Sequence, residues 1–311
     1  RQDCAGVGQG HAGADSRLFG RCVDGMQNQP PTGVVDDKTL AALEQPRVKK
    51  ADGKAAAKAT PNYDEMFKDG VMEVTVAHGF TKDGSDEKNL PKVRANLKQE
   101  GLSRVDVAGK SLAQLRKLGI DPAKVKPGVE YFHKSMEHNG KPVNMVVRVL
   151  TSKTPNARAV FKDAMASSDV VQYIGHGRYG SGPDFDGKAS MKGNYVIGQA
   201  YAPYMNQQFR HQRGAGAATD LQNTKFDSGK YQLMAFYGCK TKYYRDDLRR
   251  VPGKDRSNLH ILGTNESIRP QHASYNINRT ISGLARKDDF SAMVGDMNAN
   301  SGTNQVFFDG E

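Results

Sequence analysis

Short runs of continuous apolar residues, separated by helical patterns, constrain the fold of this 311-residue chain more than any other feature. Strands of this kind have no polar face, so protein covers both faces of the sheet that they form. The alternation of strands and helices predicts an α/β fold with a mostly parallel sheet. The predicted elements are strands at 71–78, 143–150, 170–174, 231–237 and 258–262, and helices at 90–100, 112–118 and 154–165, the last capped by Thr154 with Pro155 in its first turn.

Composition divides the chain into a small N-terminal segment at 1–45 and a main domain at 63–311. Residues 46–62 are rich in Ala and Lys, and Val48 is their only large apolar residue. They cannot bury enough surface to offset the entropy of ordering them, so we interpret them as a linker. The stretch PPTGVVDDKTLAALEQP, at 30–46, resembles the end of a bacterial peptidoglycan-binding domain. The resemblance implies a cell-wall partner; an accidental Gly turn before a helix is the alternative.

The three cysteines are distributed unevenly along the chain. Cys4 and Cys22 lie close together in the N-terminal segment, and Cys239 lies far from both. A disulfide between Cys4 and Cys22, with Cys239 left free, is expected for an exported protein. Three reduced thiols in a cytosolic protein is the alternative. Because the sequence begins at Arg1 rather than Met, we expect a processed product whose targeting segment has been removed.

The formal net charge of +11 allows an anionic partner such as nucleic acid, an acidic polysaccharide or the cell wall. Part of the excess lies in the lysine-rich tract at 48–58, and basic residues do not alternate with aromatic ones as they do on an RNA-binding strand. A solvated basic surface is therefore the preferred interpretation, and nucleic acid is not a predicted partner. No apolar run approaches the roughly 18 residues that a membrane helix needs, so no membrane span is predicted.

Two of the predicted strands end in glycine followed by a side chain that can do chemistry. One ends in YIGHG, which contains His176, and the other ends in AFYGC, which contains Cys239. The carboxyl ends of parallel strands meet at one edge of a sheet, where the reactive groups of α/β proteins collect. We therefore expect the imidazole and the thiol to lie close together, which is an arrangement for nucleophilic catalysis by cysteine.

Other interpretations compete with this one. His78 also ends a strand, before Gly79, but it is expected on the first strand rather than beside the cysteine strand. Residues 175–180 match the dinucleotide-binding pattern G-x-G-x-x-G, but the following SGPDFDG breaks the helix that this motif requires, so no nucleotide cofactor is predicted. No second soft ligand lies near Cys239 in the sequence, so no metal site is predicted.

The blocks VVQYIGHG and YQLMAFYGC, in this order, resemble the two catalytic blocks of the caspase-like cysteine peptidases, the group of caspases, legumain, clostripain and gingipains. The resemblance covers residues 71–262 and implies a caspase-like three-layer α/β/α sandwich. It implies that His176 is the general acid/base and Cys239 the nucleophile. It also implies an oxyanion pocket formed by the backbone N–H groups of Gly177 and Cys239, and no required cofactor.

The sequence departs from this family pattern in two places. Tyr237-Gly238 precedes the cysteine, where many members have alanine or glutamine-alanine. Cys239 also lies 63 residues after His176, a longer separation than the family leads us to expect. The excess, at 180–229, is interpreted as a long active-site loop or insertion, which can cover the cleft or be a site of autoprocessing.

Substrate recognition is predicted from acidic residues near these blocks. In the family, part of the specificity pocket comes from the segment after the cysteine strand and from the next strand, where Glu266 is placed to receive a basic side chain. Asp184 and Asp186 are candidates for the same role, or for binding calcium, which is not otherwise indicated. A solvated surface carboxylate is the alternative for all three. His260 alternates within a strand and is expected to be a core or edge histidine.

Together these features predict a bacterial cysteine endopeptidase, secreted or held in the periplasm or cell envelope. It is expected to act on protein or peptide substrates through a thioester on Cys239. Two other functions stay open. One is a non-catalytic cell-envelope binding protein that retains the fold, and the other is a cysteine-dependent amidase that acts on peptide crosslinks.

Overall fold

The protein is described by a computed structural model over residues 60–81, 84–178, 181–186, 193–198 and 218–310. These residues lie within the unit Ala55–Glu311, one of the two units into which the chain divides. The predictions for the segment at 1–45, for most of the linker at 46–62 and for a disulfide between Cys4 and Cys22 fall outside the described residues.

An eight-stranded sheet forms the centre of the described domain. Its strands are β1 (Val71–His78), β2 (Ser103–Val105), β3 (Glu130–His138), β4 (Lys141–Thr151), β5 (Val170–Ile174), β6 (Gln232–Phe236), β7 (Leu259–Thr264) and β8 (Val306–Asp309). Their order is β2-β3-β4-β1-β5-β6-β7-β8. The central strands β4, β1, β5, β6 and β7 are parallel, while β2, β3 and β8 pair antiparallel at the two sides. The predicted α/β class with a mostly parallel sheet is confirmed.

Helices cover both faces of the sheet. They are α1 (Tyr63–Met66), α2 (Ser85–Gln99), α3 (Leu112–Lys117), α4 (Ala157–Ser167), α5 (Arg245–Leu248), α6 (Pro270–Arg286) and α7 (Phe290–Ser301). On one face Leu97 of α2 and Ile277 of α6 enter the core, and on the other face Phe161 of α4 and Leu248 of α5 do so. Burying one such side chain contributes roughly 1.5–3 kcal/mol. Within the described ranges, every helix is too short or too polar to traverse a lipid bilayer.

The third predicted helix begins later than the sequence indicates. The hydroxyl of Thr154 donates to the carbonyl of Gly128 at 3.0 Å and accepts from the N–H of Thr151 at 3.0 Å. It therefore closes a turn after β4, and the prediction of a helix cap at Thr154 is wrong. Helix α4 begins at Ala157, after Asn156 in the left-handed conformation with φ of 54°.

The described portions of the segment at 180–229 pack into the core. Phe185 and Tyr195 contact Phe161 of α4, with ring centroids 5.3 Å apart in each pair. The hydroxyl of Tyr195 also lies 2.9 Å from Oγ1 of Thr224. These portions of the segment are therefore part of the folded domain.

His260 of β7 lies in the core, as predicted. Its Nδ1 is 2.7 Å from the hydroxyl of Tyr231, and its ring packs edge-on against Phe290 and Phe308. Burial lowers the pKa of the imidazole to about 4, because the apolar surroundings disfavour the charged form. The side chain is therefore neutral at physiological pH.

We expect His260 to make the protein less stable as the pH falls from about 6.5 to about 4. In this window the unfolded chain binds a proton at His260 and the folded chain does not, so protonation favours unfolding. Burial raises the pKa of Asp169 to about 6, so protonation of Asp169 stabilises the folded chain as the pH falls. The test therefore compares the wild-type chain with a His260 variant at each pH, because the effect of Asp169 is common to both. The stability lost on His260→Gln, measured by urea unfolding, should be smaller at about pH 5 than at about pH 7. An equal loss at both pH values would contradict a buried neutral imidazole.

Candidate active site

Strands β5 and β6 lie side by side and parallel, so their carboxyl ends reach the same edge of the sheet. Tyr173 is the register partner of Phe236, and the N–H of Tyr237 donates to the carbonyl of Tyr173 at 2.8 Å. Every residue of both strands is buried, which specifies the register strongly. His176 and Cys239 follow the ends of these two strands, and the chain leaves the sheet at one edge in both cases.

The turns that follow β5 and β6 are in backbone contact. A Cβ atom on Gly177 would overlap the carbonyl oxygen of Cys239. A Cβ atom on Gly238 would lie 2.5 Å from the carbonyl oxygen of Gly175 and 3.2 Å from the nitrogen of Gly177. Glycine is the residue that allows backbones to approach so closely. Gly177 and Gly238 thus bring the turn that contains His176 against the turn that contains Cys239.

Two buried tyrosines hold the turn that contains His176. The hydroxyl of Tyr173 donates to the carbonyl of His176 at 3.1 Å, and the hydroxyl of Tyr244 donates to the carbonyl of Gly177 at 2.8 Å. Burial raises the pKa of the Tyr244 hydroxyl, so this group remains a donor. His176 itself is half-buried in this turn.

Cys239 is exposed at this edge of the sheet, and it is the one cysteine among the described residues. Its Sγ lies 3.9 Å from the carbonyl oxygen of Ile268, in the loop after β7. On the other side of the turn, the hydroxyl of Thr264 donates to the carbonyl of Gly238. The thiol therefore lies on a turn that is fixed from inside the protein and open to solvent outside.

Lys240, directly after the cysteine, adopts the left-handed conformation with φ of 54°. A residue other than glycine in this conformation costs roughly 1–3 kcal/mol, which the surroundings must offset. Here the N–H of Lys240 donates to the carbonyl of Glu266 at 3.1 Å, and the N–H of Thr241 donates to the Thr264 hydroxyl at 3.3 Å. Such strain is common at functional sites. These two hydrogen bonds stabilise the strained conformation of Lys240 in the turn that contains Cys239 (the cysteine turn).

The backbone N–H groups of Gly177 and Cys239 were expected to form an oxyanion pocket. Over the described ranges, neither N–H donates to a protein acceptor. Gly177 is buried, and a buried N–H without an acceptor is rare in folded proteins. The Gly177 nitrogen also lies next to Gly238, whose peptide unit includes the Cys239 N–H. Both groups are thus available to a ligand at the contact between the two turns.

Comparison of the chain with protein-family models gives no match, and no curated protein matches it either. Function at this edge of the sheet is therefore inferred from the contacts of its own residues.

Glu266 lies beside the cysteine turn, in the loop after β7. Its side chain is 64% exposed, and its carboxylate lies 3.0 Å from Nζ of Lys242 and 3.8 Å from Nζ of Lys240. The hydrogen bond from Lys242 lowers the pKa of the Glu266 carboxyl, so the group is ionised at neutral pH. The structure thus places Glu266 beside the turn that contains Cys239, with two lysines sharing its charge.

Asp184 and Asp186 follow the histidine turn. Asp184 is fully buried, and its Oδ2 accepts from Nε and Nη2 of Arg178 at 2.8 and 2.5 Å. Asp186 is half-buried, and its N–H donates to Oδ1 of Asp184 at 3.1 Å. The Asp184 carboxylate therefore links Arg178, next to the turn that contains His176, to the backbone of Asp186. Binding of substrate or calcium by the two aspartates stays a prediction. Across the described ranges, no three His, Cys, Asp or Glu side chains are grouped closely enough to hold a metal ion.

The competing histidine, His78, ends β1. This strand lies between β4 and β5 and is therefore separated from β6 by β5. In the register His78 is the partner of Ile174, and its side chain is fully buried. The histidine whose strand adjoins the cysteine strand is His176.

Proposed function

We propose that this protein is a cysteine endopeptidase with a caspase-like fold, in which Cys239 is the nucleophile and His176 is the general acid/base. The proposal is carried by the backbone contact of the two turns, where Gly238 approaches Gly175 and Gly177 closely. This contact keeps the exposed Cys239 and the half-buried His176 on adjoining turns, at the edge where α/β proteins collect reactive groups. The alternation of strands and helices over 71–262 supports the family resemblance.

In the first chemical step, the Cys239 sulfur attacks the scissile carbonyl carbon and the thiol proton passes to His176. The C–N bond breaks as His176 gives this proton to the leaving amine, and the acyl group stays on the cysteine as a thioester. In the second step, His176 takes a proton from water, and the water oxygen attacks the thioester carbonyl. The C–S bond then breaks, the acid product leaves, and the proton returns to sulfur.

Both steps pass through a tetrahedral intermediate whose carbonyl oxygen is negatively charged. The N–H groups of Gly177 and Cys239 are the donors that we assign to this oxygen. Their freedom from protein acceptors, over the described ranges, supports the assignment. Donors fixed before the reaction stabilise such a charge without reorganising, and losing one typically slows catalysis about 10²–10³-fold.

Hydrolysis of a fluorogenic peptide library tests the proposal. We expect the purified chain to cleave a subset of the peptides, and Cys239→Ala, which should leave the fold intact, to cleave none. The library then supplies the residue preference at the cut. Absence of cleavage by the wild-type chain favours the cell-envelope binding function. Cleavage of crosslinked cell-wall peptides alone favours the amidase function.

An envelope or secreted location, with the cell wall as a second partner, is proposed from the N-terminal segment.

Glu266 is expected to favour substrates with Lys or Arg before the cut, because its carboxylate lies beside the cysteine turn. Lys240 and Lys242 already engage this carboxylate, so the preference should be modest. We expect Glu266→Gln to lower kcat/KM for substrates with a basic residue by a few-fold and to leave substrates with Leu or Asn at that place unchanged. An equal change for all substrates would contradict a direct contact.

A further inference from the structure

The orientation of the two oxyanion donors depends on the carbonyl groups that share their peptide planes. A trans peptide unit is planar, and its N–H and C=O point in opposite directions. The N–H of Gly177 therefore points away from the carbonyl of His176, and the N–H of Cys239 points away from the carbonyl of Gly238. Whatever holds these two carbonyls also aims the two N–H groups.

A buried side-chain hydroxyl holds each of these carbonyls. Tyr173 donates to the carbonyl of His176 at 3.1 Å, and Thr264 donates to the carbonyl of Gly238. Tyr173 and Thr264 are fully buried, and they lie on β5 and β7, on either side of β6. The two hydroxyls thus reach the two peptide units from the interior of the sheet, opposite to the solvent side on which Cys239 is exposed.

Neighbouring groups determine where the Thr264 proton goes. The hydroxyl of Thr241 donates to the carbonyl of Phe236 at 2.6 Å and accepts from the N–H of Thr264 at 2.9 Å. The N–H of Thr241 in turn donates to the Thr264 hydroxyl at 3.3 Å. With Thr241 engaged in this way, the carbonyl of Gly238 is the acceptor for the proton of Thr264. The donor direction is therefore fixed within a buried, satisfied network.

The hydroxyl of Tyr173 also contacts backbone groups of Asp184. It accepts from the N–H of Asp184 at 2.9 Å and lies 3.2 Å from the carbonyl oxygen of the same residue. That oxygen already accepts from the N–H of Phe80 at 2.9 Å. The carbonyl of His176, 3.1 Å from the Tyr173 hydroxyl, accepts from it on the interior side of the turn.

We propose that Tyr173 and Thr264 are positioning residues of the active site: each holds one carbonyl so that the N–H on the other side of its peptide plane faces the oxyanion. The proposal rests on the proposed peptidase function. Neither side chain touches the substrate, and neither takes part in proton transfer. Their contribution is confined to steps in which a carbonyl oxygen becomes charged.

Two reactions of Cys239 separate positioning from general disruption. Hydrolysis of the best library peptide passes through an oxyanion, whereas alkylation by iodoacetamide displaces iodide from a saturated carbon and forms none. Tyr173→Phe and Thr264→Val each remove one hydroxyl at nearly constant shape, and Thr264→Ser keeps the hydroxyl. Tyr195→Phe is the matched control, since it removes another buried hydroxyl bond, to Thr224, from the same domain.

We expect Tyr173→Phe and Thr264→Val each to lower kcat/KM about 10- to 100-fold, somewhat less than loss of a donor costs, with alkylation of Cys239 changed less than about twofold. Thr264→Ser and Tyr195→Phe should keep both rates. Equal losses in hydrolysis and alkylation would show a merely structural role, and unchanged hydrolysis would overturn the proposal directly. If the wild-type chain hydrolyses no peptide, the peptidase function itself fails, and the positioning roles fail with it.

Discussion

Replacing Cys239 by alanine is expected to abolish peptide hydrolysis, and replacing His176 by alanine is expected to lower kcat/KM at least about 10³-fold. Without the sulfur there is no nucleophile to attack the scissile carbonyl, so no thioester forms. Without the imidazole, the thiol proton has no acceptor and the leaving amine has no donor. Steady-state hydrolysis of the best library peptide measures both losses.

The controls for this prediction keep the chain folded and remove a similar group elsewhere. His272, at the start of α6, is half-buried and lies 3.1 Å from the side chain of Asn300. His272→Ala should keep kcat/KM within about twofold, as expected of a substitution away from the site. Circular dichroism should show native spectra for all three variants. Full activity of a folded His176→Ala variant would refute the proposed catalytic dyad of Cys239 and His176.

Replacing Gly238 by alanine is expected to push apart the turns that contain His176 and Cys239. The new Cβ atom would lie 2.5 Å from the carbonyl oxygen of Gly175, a backbone atom that cannot rotate away. The two turns must separate, which moves Cys239 from His176 and the two oxyanion donors from one another. We expect a stability loss of about 1–3 kcal/mol from overpacking and a loss of kcat/KM of about 10²-fold or more. Urea unfolding and peptide hydrolysis measure the two effects.

A matched glycine in the same domain provides the control. Gly295 lies in α7, and a Cβ atom on it would have no neighbour within 4 Å. Gly295→Ala should therefore keep full activity and raise stability by roughly 0.5–1 kcal/mol, because alanine favours a helix over glycine. If Gly238→Ala behaved like Gly295→Ala, the contact of the two turns would not matter to the site.

The central sheet was predictable because its strands carry a simple signal. A strand such as β5 is buried on both faces, so most of its residues are apolar and it stands out from helices and loops. Parallel strands that are neighbours also bring their ends to one edge, so the sequence predicts that His176 and Cys239 lie on adjoining turns. A glycine precedes each of these residues in the sequence, and in the structure Gly238 and Gly177 allow the two turns to make backbone contact.

The antiparallel edge strands gave no comparable signal. β3 has the sequence EYFHKSMEH, and most of its residues are partly exposed, so its pattern is close to that of a polar loop. Strands β2 and β8 have three and four residues, too few to show a period. Their places depend on pairing with β3 and β7, which is a property of the assembled sheet.

The hydroxyl groups behind the site were likewise beyond reach of the sequence. Thr264 contacts Gly238 and Thr241 because β7 pairs with β6 in one register, and a threonine at the end of an apolar strand has many other uses. Tyr173 was visible as a polar group within β5, but its acceptor at His176 depends on a turn that reverses the chain. Long-range hydrogen bonds of this kind follow from tertiary packing, so local sequence patterns do not reveal them.

The most direct test of the Cys239/His176 site is the rate at which iodoacetamide alkylates Cys239 at about pH 7, followed by mass spectrometry of the Cys239 peptide. An exposed thiol assisted by a neighbouring base reacts faster than an unassisted one. We predict that the folded wild-type chain reacts faster than the urea-unfolded chain, and that His176→Ala removes this advantage while His272→Ala retains it. Equal rates for the folded wild-type and His176→Ala chains would contradict the dyad.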